Sequence, residues 1–95
     1  MADPAVHPID LAALEDLKVM LPAALEKVVP NEGHAIMGQV TGYFARNRFH
    51  VTEIMLRVAV EELMHLLPDG TTRIGQILVV SKRDELGRQY YVFAR

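Results

Sequence analysis

VTEIMLRVAVEELMHLL, residues 51–67, is the longest uninterrupted helix-forming run in the chain, and its reading decides the fold. Met55, Leu56, Ala59, Val60, Leu63, Leu66 and Leu67 recur at the helical period and predict a broad buried face. Glu53, Arg57, Glu61 and His65 fall on the opposite side, where the first three can form a ladder of ion pairs four residues apart. Thr52 is placed to cap the first turn, and Pro68, Asp69 and Gly70 supply a missing N–H and a permissive backbone to stop the helix.

Upstream of this run, Asp10 is a candidate cap for a first helical region over residues 10–29. Leu14, Leu17, Leu21, Leu25 and Val28 form one stripe that passes straight through Pro22. A proline removes a helical N–H and clashes with the preceding turn, so a kink or two short helices in shared register are expected. Residues 1–9, with Pro4 and Pro8, read as an irregular lead. Asn31 is expected to cap a further helix over residues 32–46, buried through Ile36, Met37, Val40, Tyr43 and Phe44. Gly38 and Gly42 stack on one face of that helix at about 1 kcal/mol each relative to alanine, which suggests a close crossing with the central helix. ARNRFHVTE, residues 45–53, is then a turn in which Asn47 can adopt a left-handed conformation and Phe49 anchors into the core.

Downstream, residues 75–82 (GQILVVSK) and 88–94 (RQYYVFA) are β-branched and aromatic runs around RDELG, and Gly87 can provide a positive φ, so a hairpin is predicted. Lys82 opposite Arg88 at its tip would place two like charges together, an arrangement that an anion would relieve.

The order helix, turn, helix, hairpin resembles the winged helix-turn-helix family. The likeness rests on LRVAVEELMHLLPDG as the end of a recognition helix and on ILVVSKRDELGRQYYVF as a wing, and it covers residues 32–95. It implies an α+β fold, with three or four helices followed by a C-terminal β-hairpin, within a single domain divided as 10–29, 32–67 and 74–95. It also implies binding to double-stranded DNA, with the central helix in the major groove and the wing on the backbone. Thr52 and Arg57 would then approach base edges, while Arg46, Arg48, His50, Lys82, Arg83 and Arg88 would sit near phosphates. The turn lacks the frequent glycine of the family, and Glu53 and Glu61 share the exposed face with Arg57.

Composition bounds the remaining possibilities. Of 95 residues, 51% are hydrophobic and mean hydropathy is +0.14, an apolar excess that predicts a homodimer or a docking partner. The net charge of -2 opposes nucleic-acid binding when taken alone. Its distribution is uneven, because residues 1–40 carry two basic and six acidic groups, whereas residues 41–95 carry eight basic and six acidic. No run reaches the roughly 20 apolar residues of a membrane span, and no secretory signal is evident, so a cytoplasmic location is expected.

The absence of cysteine excludes disulfides, thiolate zinc sites and thiol nucleophiles within this chain. Glu62-x-x-His65 and His50-x-x-Glu53 have metal-like spacing, yet on one helix they would lie about 18 Å apart at 1.5 Å per residue, too far to share an ion. Ser81 is the only serine and lies on a predicted strand without a glycine-framed elbow. No enzyme, cofactor or metal is therefore expected. Met37, Met55 and Met64 read as core filler, with Met64, Val58 and Ile54 at an edge suited to a second subunit. The leading expectation is a dimeric DNA-binding regulator of transcription or of a replicon. The alternative is a winged-helix-like protein-interaction module, an adaptor or an inhibitor of a larger complex.

Overall fold

A computed structural model describes residues 10–95. The irregular lead expected over residues 1–9 lies outside the described residues. Over the described residues the protein is α+β, with three helices packed on one face of a five-stranded antiparallel sheet.

Helix α1 spans Leu11–Val28 as one piece, with Pro22 inside it. Asp10 caps it, its Oδ1 accepting from the N–H groups of Ala12 and Ala13 at 3.0 and 3.2 Å. A proline inside a helix costs about 3 kcal/mol. Leu14, Leu17, Leu21, Ala24 and Leu25 are buried on both sides of Pro22, and this shared packing stripe offsets the cost and keeps one register.

The expected helix over residues 32–46 is shorter by a turn and more, because His34–Ile36 form a strand, β1, and α2 covers only Met37–Arg46. Strand β1 pairs with the last strand, His34 facing Ala94, Ala35 facing Phe93 and Ile36 facing Val92. Ala35 and Phe93 are both fully buried in this register, a long-range gain that local helix propensity does not register. Asn31 therefore does not cap α2; the cap position is Ile36, whose N–H donates to Gln39 Oε1 at 2.8 Å. The expected glycine crossing is also absent: a Cβ at Gly38 would meet nothing within 4 Å, and one at Gly42 would meet only Arg46 Nη1, at 3.6 Å.

Helix α3 spans Glu53–Leu63, and Thr52 Oγ1 accepts from the N–H of Met55 at 3.1 Å as its cap. It stops four residues before the expected end. Pro68 disfavours a helical conformation at the residue before it, and the chain instead turns, with the Leu67 N–H donating to the Thr71 carbonyl and the Gly70 N–H to that of Leu67. His65–Leu66 become strand β2, which pairs with β3, Thr72–Ile74. Leu66 and Leu67, expected in the core, are exposed, Leu66 at 75%.

Strands β4 (Ile77–Arg83) and β5 (Gln89–Ala94) form the expected hairpin, and Gly75, with φ 58°, lies in the turn that joins β3 to β4. The sheet order is β1-β5-β4-β3-β2. Ile74, Ile77, Val79, Tyr91 and Phe93 face the helices and close a single core with the buried leucines of α1 and with Leu56 and Val60 of α3.

Candidate nucleic-acid interface

The turn between α2 and α3 is built by the aromatic residues around it. Phe49 packs edge-to-face on Phe44, ring centroids 5.7 Å apart, and its N–H donates to the Phe44 carbonyl at 2.9 Å. That anchoring leaves Arg46, Asn47, Arg48 and His50 exposed around it. The left-handed residue of the turn is Arg48, at φ 62°; Asn47 keeps a negative φ and caps α2, its Nδ2 donating to the Tyr43 carbonyl at 2.8 Å. Thr52 follows as the exposed cap of α3, so Arg48, His50 and Thr52 lie directly before or on the N-terminal end of that helix.

Arg57 is placed differently from a free base-reading side chain. Its Nη1 donates to Gln89 Oε1 at 3.0 Å and its Nη2 to the Gln89 carbonyl at 2.8 Å, while its guanidinium lies 5.5 Å from the Tyr91 ring centroid. Tyr91 in turn donates its hydroxyl to Glu61 Oε2 at 2.9 Å, and Gln89 Nε2 donates to Ser81 Oγ at 2.7 Å. The expected ion-pair ladder of Glu53, Arg57 and Glu61 is not formed: among the described residues Arg57 makes no salt bridge. A planar fork four residues from Glu61 meets strand residues two apart, because one turn of helix and two strand residues span similar distances. Burial pushes the Tyr91 hydroxyl above the usual phenol range, and the Glu61 carboxylate that it bonds adds to the effect.

This network holds the hairpin beside the N-terminal half of α3, where Glu53, Arg57, Asp84, Arg88, Gln89 and Tyr90 line an open groove. At the tip of the hairpin, the Asp84 carboxylate accepts from the N–H groups of Leu86 and Arg88, both at 2.9 Å, and pairs with the Arg88 guanidinium at 3.0 Å. These contacts, the Arg88 N–H foremost, hold the Asp84 carboxyl below the usual carboxylate range. The expected juxtaposition of Lys82 and Arg88 does not occur, since Lys82 faces Tyr90 and Arg83 faces Gln89 in the ladder. Lys82 and Arg83 are exposed, with Arg83 Nη1 donating to the Gly87 carbonyl at 2.7 Å.

The eight predicted residues thus fall into two groups. Arg48, His50 and Thr52 stand in the turn that leads into α3, with Arg46 at the end of α2 beside Lys27 of α1; Lys82, Arg83 and Arg88 lie on the hairpin, Lys82 on the outer face of the sheet, and Arg57 joins α3 to the hairpin. Arg46, Arg48, Lys82 and Arg83 make no salt bridge among the described residues. Sequence reasoning missed Gln89, Tyr91 and Ser81, whose alternation on β-strands placed them on one face of the hairpin without indicating what that face meets. Glu62 is taken by Lys18 of α1, at 2.8 Å, which removes one carboxylate from the exposed face of α3. His65 lies on β2 opposite Arg73, so the Glu62-x-x-His65 spacing is not helical. Among the described residues no group of three or more His, Asp or Glu side chains could hold a metal ion, and no helix is long and apolar enough to cross a membrane.

Comparison of the chain with protein-family models, with curated proteins and with solved structures finds no match.

Proposed function

We propose that this chain is a winged-helix protein that binds double-stranded DNA as a homodimer and regulates transcription or a replicon, with α3 addressed to the major groove and the β4–β5 hairpin to the backbone. Two features of topology support the winged-helix part. A short strand separates the first two helices, and it pairs with the last strand of the hairpin, so the hairpin is tied to the helical layer at its base. The observation that supports the DNA part is the hairpin's position against the N-terminal half of α3, with Arg57 and Arg88 in the groove between them and the exposed Arg48 in the turn that leads into the helix.

In this reading Arg46 and Arg48, ahead of α3, and Arg83, on the hairpin, neutralise phosphates, while Lys82, beside Val80 and Tyr90 on the outer face of the sheet, meets a phosphate only where the DNA backbone wraps the hairpin tip. His50 and Arg88 contribute further backbone contacts, and Thr52 is the residue best exposed toward base edges. Arg57 is already engaged by Gln89 through both terminal nitrogens, so it contributes to reading by fixing the hairpin beside the helix. Glu53 remains on the reading end, and a carboxylate there accepts from a cytosine amino group and disfavours close phosphates. Glu61 and Glu62 are engaged by Tyr91 and Lys18.

A second reading, a protein-interaction module, is favoured by the outer face of the sheet, where Ile36 is exposed and Val80 and Tyr90 are half-buried around an open depression. Binding to random-sequence duplex at two salt concentrations separates the two. Four phosphate contacts on each of the two subunits give a slope of roughly -7 in log affinity against log salt, about ten-thousandfold weakening between 50 and 200 mM. Removal of charge at Arg46, Arg48, Lys82 and Arg83 together should remove most of that slope, leaving the share of Arg88. No binding at low salt would discard the DNA reading in favour of the module.

A further inference from the structure

Helix α1 carries a second stripe, opposite the one that enters the core. Ala12, Asp16, Val19, Met20, Ala23 and Lys27 are all exposed, and Val19 is 81% exposed. At 100° per residue they lie within about 100° of arc on one side of the helix. The stripe is apolar in its middle and charged at its ends, negative at Asp16 and positive at Lys27. Neither charge makes a salt bridge among the described residues, although Glu15, Lys18 and Glu26 of the same helix do. Eleven residues are three turns plus about 20°, so the two unpaired charges stand almost in line, about 16 Å apart along the axis.

We propose that this stripe is a two-fold interface with a second copy of the chain, in which the two α1 helices cross antiparallel between Leu21 and Pro22. That centre places Asp16 of each copy opposite Lys27 of the other, forming two symmetric ion pairs. It also places Met20 of each copy opposite Ala23 of the other. Ala23 lies at the mouth of an open apolar groove between α1 and α2, lined also by Met20, Lys27, Tyr43, Phe44 and Phe49. A small residue there admits the incoming methionine, whose flexible thioether suits an irregular apolar groove. A parallel pairing would instead set Asp16 against Asp16 and Lys27 against Lys27, so the charges select the antiparallel arrangement. The isologous contact is the form that a closed dimer requires. The inference rests on the dimeric part of the proposed function and specifies its surface.

The test is sedimentation equilibrium of the wild-type chain and of three variants, Val19→Glu, Asp16→Lys and Lys27→Asp, with circular dichroism melts to confirm that each folds. The wild type should dimerise, and Val19→Glu should be monomeric at the same concentration. Each charge reversal alone puts two like-charged contacts in the homodimer and should weaken it about tenfold or more. A mixture of the two reversals should recover a heterodimer of near wild-type affinity, because both of its contacts are again of opposite charge. A monomeric wild type, a dimer indifferent to all three substitutions, or single reversals that mixing does not rescue would each overturn the proposal. DNA binding is measured separately on the same samples: a monomer that binds duplex removes this interface and leaves DNA recognition standing, and a rescued heterodimer that ignores duplex does the reverse.

Discussion

Replacing Arg57 with alanine removes one of the two polar links between α3 and the hairpin, the other being Tyr91 to Glu61. The guanidinium donates to Gln89 twice and lies over the Tyr91 ring. Each bond from a charged donor contributes about 1 kcal/mol net in this half-buried setting. The cation–π contact adds about 0.5–1 kcal/mol. The substitution should therefore destabilise the fold by roughly 2–3 kcal/mol, which for a chain of this size lowers the Tm by about 10–20 °C. Arg57→Lys keeps the charge and loses the planar fork, so it should recover about half of the loss. Gln89→Ala removes only the side-chain acceptor, since the second bond goes to the backbone. A double-mutant cycle between Arg57 and Gln89 should accordingly give a coupling of about 1 kcal/mol. The assay is thermal unfolding followed by circular dichroism, with urea titration as a check on the slope. A drop below about 2 °C for Arg57→Ala, the range of an unremarkable surface position, would refute a structural clamp and return Arg57 to the free residues of the interface.

Phe93→Ala, at a fully buried ring opposite Ala35, should cost about 3–5 kcal/mol and leave the chain largely unfolded at 37 °C by hydrogen exchange. Arg48→Gly should raise stability by up to about 1 kcal/mol, because glycine takes the left-handed conformation without penalty, while duplex binding weakens; a parallel fall in both would contradict the assignment of Arg48 to phosphate. The raised Tyr91 makes the folded state hold its proton longer than the unfolded chain, so its contribution is complete below the ordinary phenol value and is lost as pH rises through the folded one; Tyr91→Phe should flatten the alkaline limb of a Tm profile. Asp84 behaves in the opposite sense: its contribution is present above the ordinary carboxylate value and is lost as pH falls through the depressed one, so Asp84→Asn should blunt the acid limb.

Much of the chain was legible without coordinates. The caps Asp10 and Thr52, the leucine stripe of α1, the Phe49 anchor and the hairpin are local or periodic signals, and each was found where the residues placed it. The differences have separate causes. Residues 34–36 become a short strand because the distant β5 offers an unpaired edge, whereas residues 65–66 do so locally, folded back on β3 by the turn over Pro68, Asp69 and Gly70. The spacing of Gly38 and Gly42 by itself suggests a helix crossing, but no backbone of another element approaches either.

For the candidate site the division is similar. The sequence by itself determined which residues are charged, which lie in turns and hence exposed, and that cations concentrate after residue 40, because composition and turn chemistry are local properties. Tertiary structure alone decided that Arg57 belongs to Gln89 and Tyr91, that Lys82 does not face Arg88, and that the hairpin lies beside the first turns of α3. Those outcomes depend on strand register and on where a helix meets a sheet, and both are set by burying Ala35, Leu56, Val79 and Phe93 in one core. A residue's neighbours across such a core lie tens of positions away in the chain, 32 for Arg57 and Gln89, and no local pattern encodes that distance.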